Sequence, residues 1–171
     1  YLTSKRMTGR SMVCKYSQEI IEIDDIDEKI LRAAATPGEM SHRDLSRMLG
    51  IPASTIDLRM RKLGEREVVA GKILAVDCTK FGYLPFKLLI YAKGVSPELS
   101  MGLQKFCERH PNAVYLIECL GNWDYEVGVE VQRPEDVSAV MQQIFEEFGA
   151  SVNAVKVLSK FRDIKFRWFP G

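Results

Sequence analysis

The chain has 171 residues, enough for one or two small domains, and its 46% hydrophobic and 27% charged content is that of an ordinary globular protein. No apolar run approaches the ~18 residues of a membrane span, and the first residues lack the apolar segment of a secretory signal, so a cytoplasmic protein without membrane contact is expected. The net charge of +1 neither demands nor excludes a polyanionic partner, which makes the distribution of charge more informative than its sum.

Residues 1–18 carry Lys5, Arg6, Arg10 and Lys15 and no acid. With the strand-like Val13, Tyr16, Ile20, Ile21 and Ile23, they make residues 1–23 a basic arm or a docking strand. A first helix is predicted from Asp24 or Asp25, either of which can cap it. Asp27 and Glu28 then sit at the positive end of the helix dipole, and Ile26, Ile30, Leu31 and Ala34 form the apolar face. Pro37-Gly38 stops it. Ser41 and Asp44 have capping-box spacing for a second helix, with Leu45, Met48 and Leu49 inward and Gly50 at its end. Ser54 is the expected cap of a third helix, whose inward positions are Ile56, Met60 and Leu63. Residues 68–69 and 72–76 read as short strands around Gly71. Together these elements predict a winged helix-turn-helix over 24–77.

Gly82 and Pro85 interrupt the pattern, so 78–85 reads as a linker. Beyond it the apolar period becomes two: Phe86, Leu88 and Ile90 alternate with Lys87, Leu89 and Tyr91. Ser96-Pro97 opens a helix with the stripe Leu99, Leu103, Phe106 and Cys107. His110 stands at its end, where a cation suits the dipole. Residues 114–120 form a strand, Gly121-Asn122 a turn, and Tyr125, Val127, Val129 and Val131 one face of a half-buried strand. Pro134 opens another helix, with Val137, Val140, Met141, Ile144 and Phe148 inward and Gly149 as C-cap. Strands over 152–158 and 161–169 complete the chain. The order βαββαβ, plus a terminal strand, predicts a ferredoxin-like domain over 86–171 and an α+β protein overall.

The helix-turn-helix carries the first candidate site. Residues 41–72 hold seven Lys/Arg against four Asp/Glu, the local basic excess that phosphate steering needs. With its apolar positions removed, the third helix presents Ser54, Thr55, Asp57, Leu58, Arg61 and Lys62. Ser54 and Thr55 lie at the end that enters a DNA major groove in this motif, and Arg61 and Lys62 follow one to two turns later. Arg43 and Lys72 are expected to touch the phosphate backbone. Asp57 would repel phosphate unless it accepts from a cytosine amine or pairs with Arg61 one turn on. A plain helical hairpin whose charges only solvate its surface is the competing reading.

The residues Ile26-Asp27-Glu28-Lys29-Ile30-Leu31, Leu45-Ser46-Arg47-Met48-Leu49-Gly50-Ile51, Ser54-Thr55-Ile56, Arg59-Met60 and Leu63 resemble the DNA-binding half of the Lrp/AsnC regulators. Gly121-Asn122-Trp123-Asp124-Tyr125 is similar to that family's Gly-x-aromatic-Asp turn. The likeness runs colinearly over about residues 24–160. It implies a RAM/ACT-like second domain that forms a homodimer, dimers that assemble into octamers, double-stranded DNA as partner, and an amino acid or related small molecule bound between subunits near the turn. Two positions depart from the pattern. The family has Glu after the Leu matched by Leu63 and Gly three residues further on, where this chain has Gly64 and Glu67. An early helix end at Gly64 is therefore expected.

In the turn, Gly121 allows close backbone approach and Asn122 belongs to a loop whose amides can hold a carboxylate. Asp124 can take an ammonium, and Trp123 can wall the site. Glu118, Asn153 and Val155 are further candidates to line it. Alternatively, the same residues serve only turn geometry and subunit packing. Cys14, Cys78, Cys107 and Cys119 have no CxxC spacing and read as free thiols. No metal or other cofactor is expected, and neither His42 nor His110 has neighbours that announce catalysis. A transcription regulator and not an enzyme is the reading. The alternative is a siroheme decarboxylase-like enzyme, since those enzymes resemble Lrp/AsnC proteins in fold.

Overall fold

A computed structural model describes residues 20–35, 40–71 and 76–160, which fall into two compact units, one ending at Gly71 and one beginning at Val76. In the first unit, helix α1 (Asp25–Ala34) is capped by Asp24, whose side chain accepts from the amides of Ile26 and Asp27. Helix α2 (His42–Leu49) opens on the complete capping box of Ser41 and Asp44 and ends at Gly50, which takes the left-handed conformation at φ 67°. Helix α3 (Ala53–Glu65) follows after two residues. Ile30, Ala33, Leu45 and Ile56 form the buried core, with Met40, Leu49, Ile51 and Met60 packed around it.

Several details of this unit differ from expectation. On α1, Ile26 and Ala34 face outward while Asp27, Ile30, Leu31 and Ala33 are buried. The helix is turned so that the Asp27 carboxylate points inward onto an arginine, which a hydropathy pattern cannot register. Met48 is 60% exposed, because the eight-residue α2 brings only Leu45 and Leu49 to the core. Ser54 does not cap α3. The helix starts two residues earlier, at Ala53 with Pro52 as its N-cap, and the carbonyl of Pro52 accepts from Thr55 and Ile56. Nor does α3 stop at Gly64, since an interior glycine costs a helix only about 1 kcal/mol. It runs on to Glu65, and Glu67 supplies the left-handed residue at φ 58°. Glu67 N–H donates to the Gly64 carbonyl and Val68 N–H to that of Leu63, a complete Schellman closure. Val69 also donates to Leu63, so residues 68–69 close a helix and form no strand. Residues 1–19 of the expected arm, 72–75 of the wing and the strand over 161–169 lie outside the described residues, and residues 20–23 form no strand.

The second unit begins with a single 3-10 turn, Cys78–Phe81, inside the stretch read as a linker. Strands β1 (Leu84–Ala92), β2 (Ala113–Glu118), β3 (Tyr125–Val131) and β4 (Val152–Ser159) form one antiparallel sheet in the order β2-β3-β1-β4. Helices α4 (Pro97–Arg109) and α5 (Asp136–Phe148) are the two crossovers. This is the predicted ferredoxin-like arrangement. Phe86, Leu88 and Ile90 of β1 pair with Val129, Val127 and Tyr125 of β3. They join Leu99, Leu103, Phe106, Val137, Val140 and Ile144 of the helices in one core.

Strand β3 is more buried than its alternation suggests, because it is central and covered on both faces. Glu126, on the face away from the core, is only 8% exposed. It accepts from Lys87 Nζ at 2.7 Å and from the Tyr115 hydroxyl at 2.8 Å. The Tyr115 ring lies over Gly128, where an added Cβ would stand 2.1 Å from a ring carbon. His110 also departs from expectation. Its ring stacks on Phe106 at 5.3 Å, and its Nδ1 accepts from the Asn112 amide at 3.2 Å. Burial, with Arg109 alongside, lowers its pKa below the ordinary 6.5, favouring the neutral ring over a cation. Cys78, Cys107 and Cys119 are free thiols, and burial pushes the Cys107 thiol up to about 11. Among the described residues no helix is long and apolar enough to cross a membrane.

Candidate nucleic-acid interface and ligand turn

Three features build the surface of α3. The left-handed Gly50 turns the chain between α2 and α3, and the core residues Leu45 and Ile56 lock the two helices together. Pro52 provides no side-chain cap, so the N-terminal turn of α3 ends in backbone donors beside the exposed Ser54. Asp57, Leu58, Arg61 and Lys62 are exposed along the same helix, with Leu58 47% accessible, and Thr55 is half-buried. Arg43 is exposed in the first turn of α2. The structure therefore puts Arg43, Ser54, Thr55, Asp57, Leu58, Arg61 and Lys62 on two adjoining helices. Lys72 lies outside the described residues.

Three carboxylates organise the flanks of α3. On one flank, Asp57 Oδ2 accepts from Arg61 at 2.8 Å while its other oxygen lies 3.2 Å from His42 Nδ1 on α2. This is the intrahelical pair anticipated for Asp57. Both partners are largely exposed, so the pair contributes little stability, ~0.3–0.5 kcal/mol, and a phosphate can compete for Arg61. On the other flank, Arg59 donates to Asp24 and, at 3.0 Å, to Asp27. Neither His42 nor Arg59 is a candidate DNA-site residue from the sequence. A signal for Arg59 was present: it sits three residues after Ile56 and four before Leu63, on the inward side of the helix, where a guanidinium requires an acid. Its partners are 35 and 32 residues away, a pairing that spacing does not encode. A surface groove of about 740 Å³ runs beside it, lined by Glu22, Ile23, Thr55, Leu58 and Lys62 among others.

In the second unit the Gly121–Asp124 turn joins β2 to β3. Gly121 takes φ 155°, and Gly121 and Asn122 are exposed. Asp124 is held on three sides: its N–H donates to the Ile90 carbonyl, its carbonyl accepts from Cys119 N–H, and its Oδ2 accepts from Ala92 N–H at 2.7 Å. Asn153 Nδ2 donates to the Ala92 carbonyl at 3.1 Å. Asp124 and Asn153 thus converge on Ala92, where the β1–β4 register shifts. Glu118 Oε2 accepts from the Ser100 hydroxyl at 2.9 Å, and Ser100 Oγ lies 2.8 Å from the Tyr125 hydroxyl. Burial raises the pKa of that phenol. Ser100 and Glu118 border a cavity of about 460 Å³ whose apolar wall is Val95, Pro97 and Met101. Trp123 is half-buried, and its indole N–H is buried without a hydrogen-bond partner. Val155 is buried in the hydrophobic core, paired with Ile90.

Comparison with known proteins fits both halves. Residues 23–64 match the AsnC-type helix-turn-helix domain. The chain is 29% identical over 126 residues to the HTH-type transcriptional regulator FL11 of Pyrococcus horikoshii, an alignment covering 72% of this chain and 81% of that one. It is 33% identical over 116 residues to the Bkd operon transcriptional regulator of Pseudomonas aeruginosa, covering 65% and 73%. Among solved structures, a transcriptional regulator of Neisseria meningitidis in complex with L-Met superposes with a TM-score of 0.72 at 15% identity, covering 87% of this chain and 97% of that one. Escherichia coli AsnC superposes with a TM-score of 0.63 at 17% identity, covering 87% and 99%. The two-unit fold, the helix-turn-helix and these relatives together place the chain in the Lrp/AsnC family of transcriptional regulators.

Proposed function

We propose that the chain is a sequence-specific DNA-binding regulator that reads a pseudo-palindromic site with α3 and responds to an amino acid or a related small molecule. One observation carries the DNA half: α3 projects Ser54, Leu58, Arg61 and Lys62 to solvent from a helix pair fixed by a capping box and a left-handed glycine. Arg61 and Lys62 supply charge for phosphate or guanine edges, and Ser54 supplies a hydroxyl at the helix end. Arg43 adds a backbone contact from α2, and Lys72 is assigned the same role from the wing. Selection from a pool of randomised duplexes tests this reading. The expected product is a two-fold symmetric site, and recovery of no preferred sequence would contradict it.

Dimerisation is assigned to the sheet face away from α4 and α5. Tyr115, Ile117 and Leu158 are exposed large residues on that face, an apolar area that a second copy would cover. Four such dimers can then build an octamer, and sedimentation distinguishes dimer from octamer. The effector is assigned to the neighbourhood of Gly121, Asn122, Trp123, Asp124, Glu118 and Asn153, at an inter-subunit site. Support comes from the carboxylates gathered there, from the unpartnered indole N–H of Trp123, and from a relative in fold that was solved with L-Met. Asp124 already holds Ala92 N–H, so it can act on a ligand through its remaining lone pairs. A thermal-shift screen of the amino acids tests the assignment, because a ligand of the native state raises apparent stability by mass action. A shift that Asn122→Ala or Trp123→Ala abolishes supports it, and no shift with any amino acid contradicts it. The relatives' role in regulation supports a non-enzymatic protein that works beside DNA in the cytoplasm, over a siroheme decarboxylase-like enzyme.

A further inference from the structure

Helix α3 is packed on its own unit by Ile56, Met60 and Leu63. Apolar burial is non-directional: it sets how closely the helix approaches α1 and α2 and leaves its rotation about its own axis weakly determined. Directed contacts must fix the rotation, and α3 has one on each flank. Asp57 reaches His42 of α2, and Arg59 reaches α1.

The two flanks are unequal. Asp57, Arg61 and His42 are a third or more exposed, so that contact is screened by solvent. Arg59 is different. A single guanidinium nitrogen, Nη1, donates to both Asp24 and Asp27, and the Asp27 carboxylate is almost wholly buried. Asp24 divides its labour: one oxygen caps α1 through the amides of Ile26 and Asp27, and the other takes the guanidinium. The first turn of α1 and the middle of α3 are therefore tied by charge-assisted bonds, the strongest kind of directed contact in the unit. Arg59 is flanked on α3 by Thr55, Leu58 and Lys62, three of the residues assigned to DNA.

We infer that Arg59 is a positioning residue for DNA reading: its clamp on Asp24 and Asp27 sets the rotation of α3, and with it the direction in which Ser54, Thr55, Leu58, Arg61 and Lys62 point. The charge of Arg59 is spent inside the protein and does not meet phosphate. A rotation of about 20° carries a side-chain tip at a radius of about 5 Å through about 2 Å, far beyond the few tenths of an ångström that a hydrogen bond to a base edge tolerates. Contacts to phosphate are more forgiving, because flexible cations follow the backbone. Loosening the clamp should therefore damage sequence discrimination and spare general affinity.

This inference rests on the DNA-binding reading, and its test separates the two. The full chain selects a preferred duplex from a randomised pool, and its affinity for that duplex and for a scrambled one is measured over a series of salt concentrations. The double variant Asp27→Asn/Arg59→Met removes the clamp at constant net charge. Asp24→Asn is a milder variant, since Asn caps a helix as well as Asp does but offers the guanidinium no charge. Circular dichroism melting establishes that both are folded. The expected result is a selected-to-scrambled affinity ratio lowered about tenfold or more in the double variant, the scale of one lost base contact, with a smaller drop for Asp24→Asn. The scrambled-duplex affinity and the salt slope should stay at wild-type values. Arg61→Ala and Lys62→Ala, by contrast, should each flatten the slope by about one. A double variant whose slope falls by about one would make Arg59 a phosphate contact and overturn the inference. Wild-type ratios in both folded variants would overturn it equally. A wild-type chain that selects no sequence fails earlier and overturns the DNA reading together with it.

Discussion

Glu67 carries the clearest strain in the described chain, as a non-glycine residue at φ 58°. Its side chain is exposed, so the structure shows no packing that would compensate. The Schellman closure of α3 requires a left-handed residue there, and a non-glycine in that region costs of order 1 kcal/mol or more. Glu67→Gly should raise stability by up to about 1 kcal/mol in urea melts, part of the strain relief being offset by the entropy of an added glycine. A loss of stability would contradict this account of the turn. His110 makes a second prediction, this time with pH. Its folded-state pKa is lowered by burial and then by Arg109, and the Asn112 amide donates to an unprotonated Nδ1. The unfolded chain thus takes up the proton more readily than the folded one. Stability from the neutral ring is fully present above pH 6.5 and declines as the pH falls below that value, until the folded-state pKa has been passed. Urea melts between about pH 7.5 and about pH 5 should show this decline, and His110→Gln should reduce it. A gain of stability on acidification, absent in the variant, would reverse the sign.

At the scale of elements, caps and close approaches decide. Ser41 closes a reciprocal box with Asp44, and its hydrogen bonds hold the Asp44 carboxyl below the usual range. Ser41→Ala should cost about 1 kcal/mol and loosen α2 against α3. Gly128→Ala places a methyl where the Tyr115 ring lies, so it should displace the ring and break its bond to Glu126, destabilising the sheet by ~1–3 kcal/mol. An unchanged melt would show that the ring moves freely. These elements also mark what the sequence revealed. The caps at Asp24, Ser41 and Ser96, the glycine stop at Gly50 and the period-two strands were legible because each is a local rule acting within a few residues. The inward turn of Asp27, the burial of Glu126 and the clamp on Arg59 were not. Each depends on a partner at least eleven residues away, and each buries a charge that hydropathy assigns to the surface. Ser54 misled for a related reason, since the preceding Pro52 had already started the helix.

For the whole molecule, the two halves are unequal. The DNA half presents residues on one helix whose angle is held by side chains on two others. In the second unit, Asp124 of the turn and Asn153 of β4 are already committed to Ala92, so the open donors and acceptors are fewer than the motif suggested. Its exposed sheet face is the surface to which dimerisation is assigned. The expected partner types follow from the family resemblance, whereas the polar atoms committed to the fold are set by contacts distant in sequence. That α3 meets DNA through Arg61 and Lys62 is tested most directly by the salt dependence of binding to the selected duplex. Arg61→Ala and Lys62→Ala should each weaken binding and reduce the slope of log K against log salt by about one. Specific binding with wild-type affinity and slope in both variants would contradict it.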